Sequence, residues 1–154
     1  MPRIDLASAP QGSGSTYPAP FDLPCRGRSW HRLAAAAGLT QLGVNLVRLA
    51  PGAWSSQRHW HTHEDEFVYV VAGELVLVTD DGEEILRAGD CAGFPAGAKN
   101  GHCLQNRSPH DAVVLVAGNR NDQDGGEYSD IDMMFKPGRY AGGSRYFHKD
   151  GTPY

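Results

Sequence analysis

The sequence predicts an all-β protein whose strands close into a barrel. Three features predict it. Short apolar runs rich in β-branched residues recur from Leu39 to Ala117, bounded by Gly, Pro or Asp turns. A helical period is almost absent over the same span. Two of the runs, Glu66 to Val71 and Leu75 to Thr79, are apolar on both faces. An open sheet would expose such strands to water, whereas a closed barrel, or a partner laid over it, covers them and removes the free edges.

Residues 1–24 are rich in Pro, Gly, Ser and Ala and read as an extended N-terminal arm. Gln11 to Thr16 is linker-like, and the prolines recurring from Pro18 to Pro24 forbid regular helix. Tyr17, Phe21 and Leu23 give the arm apolar side chains to lay on the barrel or on a second subunit. Ser29 to Ala37 admits two forms, a short helix capped by Ser29 and stopped by Gly38, or a strand, turn and strand. Leu39 to Leu49 is a strand, turned at Pro51-Gly52. A further strand is expected at about Ser55 to His61.

Glu66 to Val71 and Leu75 to Thr79 are expected to pair as a hairpin over Ala72-Gly73-Glu74. Asp80-Asp81-Gly82-Glu83 makes a second hairpin turn. Strands at Glu84–Arg87, Cys91–Phe94, His102–Asn106 and Ala112–Ala117 continue a barrel placed at residues 25–135. Its last strand, Tyr128 to Phe135, sets Ile131, Met133 and Phe135 on one face. Residues 136–154 form an irregular tail carrying Arg139, Tyr140, Arg145, Tyr146, His148, Lys149 and Tyr154, expected to wrap the barrel surface.

The 154 residues suffice for one domain with a sizeable core. A net charge of −4 without a basic cluster argues against nucleic acid and anionic membranes as partners. No apolar run approaches the roughly 20 residues of a membrane span, and Met1 to Ala7 lacks a signal-peptide core, so a cytoplasmic protein is expected. Three cysteines, Cys25, Cys91 and Cys103, argue against a disulfide framework. Cys91 and Cys103 are expected as small buried apolar residues.

The stretch from Gly52 to Gly73 organises the chemistry. Residues i and i+2 of a strand share a face, so His59 and His61 are expected on one side and Trp60 on the other. Glu66, brought round by a bend, supplies a carboxylate. A second β-like patch after a Gly/Pro turn contributes His102. Such mixed nitrogen and oxygen ligands suit iron, manganese, nickel, copper or zinc. His63, in the bend Thr62-His63-Glu64-Asp65, is expected as a solvated loop residue.

These two stretches resemble the two motifs of the cupin family. The first is usually Gly-x5-His-x-His-x3,4-Glu-x6-Gly, and here reads Gly52-x6-His59-x-His61-x4-Glu66-x6-Gly73. The second is usually Gly-x5-Pro-x-Gly-x2-His-x3-Asn, and here reads Gly89-x5-Pro95-x-Gly97-x4-His102-x3-Asn106. Two extra residues precede the second-motif histidine, which keeps its direction if they are extended. Asn100 stands where the usual spacing puts that histidine. The resemblance covers about residues 40–118. It implies a double-stranded β-helix, or jelly roll, and a divalent metal held by His59, His61, Glu66 and His102.

A metal so held leaves positions open for oxygen atoms of a small substrate. The expected activity is isomerisation or epimerisation of a sugar or sugar phosphate. The alternatives are an iron-dependent dioxygenase of a small organic acid and a non-enzymatic sugar-binding cupin. Gln57, Arg48 and Asn100 are candidate substrate contacts, and no catalytic residue is assigned. No helix-turn-helix segment occurs, so a DNA-binding regulator is not expected. A homodimer is, through the arm or the two-faced strand Phe67 to Val71.

Overall fold

A computed structural model describes residues 3–138 and 145–154. The apolar runs form strands β1 (Gln11–Ser13), β2 (Arg28–Arg32), β3 (Leu42–Leu49), β4 (Glu66–Ala72), β5 (Glu74–Thr79), β6 (Gly82–Arg87), β7 (Cys91–Phe94), β8 (Cys103–Gln105) and β9 (Ala112–Asn119). One helical turn, α1 (Leu33–Ala36), follows β2. The pair β10 (Gly126–Glu127) and β11 (Met134–Phe135) comes last. All pairings are antiparallel, in a six-stranded sheet of order β1-β2-β3-β9-β4-β7 and a three-stranded sheet of order β6-β5-β8.

The alternation of β4 sets the core. Val68 and Val70 are buried, at 1% and 0% exposure, and pack with Leu49 and Val114 of their own sheet. Leu75, Leu77 and Leu104 of the smaller sheet close the same cluster. Removing these side chains from water supplies the main favourable term, about 2 kcal/mol for each aliphatic residue buried. The described residues leave the opposite face of β4 largely uncovered, with Phe67, Tyr69 and Val71 44%, 40% and 47% exposed.

Four local expectations need correction. First, β4 and β5 do not form a hairpin, because β4 pairs with β7 and β9, and β5 pairs with β6 and β8. Gly73 is a corner between sheets. Its φ of +80° suits glycine, and a Cβ there would lie 2.8 Å from the Asp111 carbonyl. Second, Ser55 to His61 is not a strand. It bends, touching its neighbours through single bridges at Trp54↔Gln105 and His59↔His102. The Ser55 hydroxyl takes the Leu104 N–H (2.9 Å), so a side chain replaces a ladder bond.

Third, Tyr128 to Phe135 is interrupted by bends that return the chain from β10 to β11, with Asp132 accepting the Lys149 N–H. Met133 and Phe135 are nonetheless buried together, with Ile131 packed against them. Fourth, Cys91 is exposed, whereas Cys25 and Cys103 are buried. Ser29 caps no helix but lies within β2, and α1 ends before Gly38, whose φ is +71°.

The linker-like part of the arm carries β1, and Tyr17 and Phe21 pack on the Tyr128–Met133–Phe135 cluster, while Leu23 is 53% exposed. Tyr146 joins that cluster, Phe147 bridges Met134, and His148 is held by Asp132. Arg139 and Tyr140 lie outside the described residues. No helix among the described residues is long and apolar enough to cross a membrane.

Candidate metal centre

The bridge between His59 and His102 is a pair of backbone hydrogen bonds, His59 N–H to His102 O (3.2 Å) and the reverse (2.9 Å). It brings the two motifs together and sets the two imidazoles 5.2 Å apart by ring centre. His61 follows two residues on, and Glu66 opens β4 between β7 and β9. His59 Nε2 lies 3.1 Å from His61 Nε2. Glu66 spans the group, with Oε2 3.7 Å from His61 Nε2 and Oε1 3.7 Å from His102 Nε2.

The hydrogen-bond partners decide what these atoms can do. His59 Nδ1 is 2.9 Å from the Gln57 carbonyl and His61 Nδ1 is 2.7 Å from the Asp124 carboxylate. Both partners only accept, so both Nδ1 atoms carry hydrogen, and in the neutral form each ring turns a bare Nε2 lone pair inward. Two lone pairs at 3.1 Å in a partly buried site repel unless a cation or a proton joins them. Neighbouring ligands each 2.0–2.1 Å from one metal lie about 2.8–3.4 Å apart, from octahedral to tetrahedral geometry, which fits the imidazole pair. His102 is 4% exposed, and both its ring nitrogens are buried without a hydrogen-bond partner. Such an orphan costs stability unless something absent from the protein chain satisfies it.

Electrostatics point the same way. Burial, then the neighbouring His61 and His102, hold His59 down at about 3, so it stays neutral at pH 7. Burial opposes ionisation of Glu66, but the closeness of His102, followed by His59 and His61, outweighs it and brings the carboxyl to about 2. A carboxylate beside the neutral His59 imidazole suits a divalent cation, whose ligands must be deprotonated. Phe94 stacks on His102 with ring centres 3.7 Å apart, and Phe135 meets His61 edge-on at 5.2 Å, which restricts both rings.

The model of the cupin domain matches residues 45–118. A sugar phosphate isomerase of the cupin superfamily from Silicibacter pomeroyi DSS-3 is 49% identical, with a TM-score of 0.93 over 99% of this chain and 96% of that one. The chain belongs to the cupin superfamily. A protein from Acidithiobacillus ferrooxidans ATCC 23270 assigned as a sugar phosphate isomerase is 29% identical, with a TM-score of 0.74 over 82% of this cupin and 80% of that chain. The polyketide cyclase RemF from Streptomyces resistomycificus shares the fold, at 16% identity and a TM-score of 0.66 over 92% of each chain. No curated protein matches this cupin by sequence.

Beside the centre lies a cavity of about 270 Å³. His61 and His102 line it, with Trp60, Leu77, Ala92 and Phe94 as apolar wall. Thr79, Asp81 and Asn100 make its polar part. The Lys99 ammonium sits 5.4 Å over the Trp60 ring.

Of the three candidate substrate contacts, the structure brings one to the cavity. Asn100 lines it, braced by the Asp80 N–H (2.8 Å) and by Asp81. Gln57 is instead buried and donates to the Phe21 carbonyl, which ties the arm to the barrel. Arg48 is exposed and bonds Asp111 at 2.9 Å, because its β3 position faces outward. His63 is exposed, as a bend residue should be. Two buried carboxylates went unread, Glu64 (6% exposed) and Asp124 (0%). The only local signal was the acidic bend 64–65, and Asp124 sits in a polar loop that reads as solvent-facing.

Proposed function

We propose that this cupin is a metal-dependent isomerase or epimerase of a sugar or sugar phosphate, with His59, His61, Glu66 and His102 as the ligands of a divalent transition metal. The observation that carries the reading is the 49% identity, across 99% of the chain, to a cupin sugar phosphate isomerase. Cupins commonly bind divalent metals, and the inward-facing donor atoms described above have the chemistry to hold one. Such a metal, when bound, acts as a Lewis acid toward adjacent substrate oxygens.

The chain's own residues supply the rest. Trp60, Leu77, Ala92 and Phe94 exclude water along one wall. Thr79 and Asn100 offer hydrogen bonds to hydroxyl groups. Asp81 is the carboxylate outside the ligand set that lines the cavity among the described residues, which supports it as the group that would carry a proton between substrate carbons. The protein acts as a homodimer, a second copy covering the outward apolar face of β4 at Phe67, Tyr69 and Val71.

The test is turnover of the protein loaded with single metals. Aldoses, ketoses and their phosphates are incubated anaerobically in D₂O and followed by proton NMR. Interconversion of one pair, with loss of the proton signal at the reacting carbon and inhibition by a chelator, is the expected result. No interconversion with any metal, or product formation only with oxygen uptake, overturns the reading.

A further inference from the structure

A buried carboxylate outside the proposed ligand set stands directly behind one member of it. Asp124 is 0% exposed, and its Oδ2 is 2.7 Å from His61 Nδ1. Its Oδ1 accepts the backbone N–H groups of His63 (2.9 Å) and Glu64 (3.2 Å). Those amides belong to the bend that joins His61 to Glu66. The bend is tied a second time, since Thr62 N–H donates to the Gly125 carbonyl and the Gly125 N–H donates to the Thr62 hydroxyl, both at 2.8 Å. One side chain therefore holds an imidazole by its outer nitrogen and the backbone leading to the carboxylate.

We infer that Asp124 is a positioning residue for the metal centre, keeping the His61 hydrogen on Nδ1 so that Nε2 faces His59 and Glu66, and clamping the bend that delivers Glu66. The inference rests on the metal reading above and goes beyond it. A carboxylate can only accept, so it selects one tautomer, and its charge raises the basicity of the ring it holds. An ion placed between His61 and Asp124 is the rival arrangement, because His61, Glu64 and Asp124 offer ligand atoms within 4.8 Å of one another. The 2.7 Å contact between His61 Nδ1 and Asp124 Oδ2 is a hydrogen-bond length. Two ligands at 2.0–2.1 Å from a common metal stand about 2.8–3.4 Å apart, wider than this contact. Glu64 is committed elsewhere, accepting the Asn121 N–H at 2.8 Å.

The substitution D124N keeps shape and changes one donor. The two backbone N–H groups hold the asparagine oxygen, so its amide nitrogen faces His61 and donates. His61 must then accept at Nδ1 and carry its hydrogen on Nε2, where it blocks the inward lone pair. Cobalt(II) affinity, read by visible absorption in competition with a chelator, should fall about 10–100-fold. Imidazole ¹⁵N NMR of the metal-free proteins should show the His61 hydrogen on Nδ1 in the wild type and on Nε2 in D124N. E64Q, the control, should stay within about threefold of the wild type, below the range for an outer partner.

D124N binding cobalt as tightly as the wild type overturns the inference alone. So does E64Q losing affinity as D124N does, which would place the ion in the rival cluster. If D124N does not fold, the wild-type spectrum decides, and hydrogen on His61 Nε2 overturns the inference. A wild-type protein that takes up no cobalt overturns the metal reading, and this inference with it.

Discussion

Gly126 gives the sharpest test of how the centre is supported. It lies in β10, opposite Phe135 of β11. A Cβ at this position would sit 2.0 Å from the Trp60 carbonyl oxygen and 2.6 Å from the Phe135 ring. Neither neighbour can yield cheaply. The Trp60 N–H donates to the Glu127 carbonyl at 3.2 Å, which ties that residue's backbone to β10, and Phe135 is 3% exposed in its cluster. Overpacking of a core commonly costs about 1–3 kcal/mol, and a clash with backbone on one side and a buried ring on the other belongs at the upper end. For a chain of this size about 3 kcal/mol lowers the melting temperature by roughly 6–12 °C. Trp60 immediately precedes His61, so the displacement should also weaken cobalt(II) binding, by about tenfold, the lower end of the range for outer partners. Circular dichroism melts of G126A and the wild type measure the first effect and chelator competition the second. G93A is the control, because a Cβ at Gly93 meets nothing within 4 Å. A G126A protein melting within about 2 °C of the wild type, a shift worth under 1 kcal/mol, would refute the tight packing of Gly126 between the Trp60 carbonyl and the Phe135 ring.

Three further outcomes are expected. In chelator-treated protein, His59 is held at about 3 against about 6.5 when unfolded, so its stabilising contribution is complete above pH 6.5 and is lost as pH falls toward 3. Between pH 7 and pH 5 the loss is about 2 kcal/mol, read as a lower urea midpoint, and H59N should show a shallower slope, equal slopes counting against the assignment. Iodoacetamide at pH 8 should modify Cys91 alone in the native protein, because burial first of all raises Cys25 and Cys103 to about 11; mass spectrometry showing two native adducts would contradict this. Light scattering should give a dimer that F67E converts to monomer, and a monomeric wild type at 50 μM or so, far above the Kd of a stable interface, would remove the homodimer.

The ligand candidates were legible because HxH spacing and glycine framing are local signals that survive whatever the backbone does between them. The period-two argument for His59 and His61 reached a true neighbourhood by an imperfect route, since the segment is bent and held by bridges rather than paired along its length. Ala72-Gly73-Glu74 looked like a hairpin because a glycine between two apolar runs reads the same whether the chain reverses within a sheet or crosses to another. Which it does depends on strands far away. Arg48 was misplaced for a like reason, because its outward direction follows from pairing with Val113. Asp124 announced nothing. Its partner His61 is 63 positions distant, and an aspartate among Asn, Gln and Gly has the composition of a solvated loop.

Strand β3 meets β9 over eight matched pairs, from Leu42↔Asn119 to Leu49↔Ala112, and these span nearly the whole barrel sequence. Everything the ion would need is encoded between those two strands, apart from Asp124, which comes just after them. A nascent chain that has released its histidines from the ribosome still lacks the strand that closes the sheet around them. Long-range pairing of this kind forms late and slowly. If the centre holds metal as proposed, its acquisition by a newly made molecule signals that synthesis has passed residue 119 and that the two ends of the barrel have found each other.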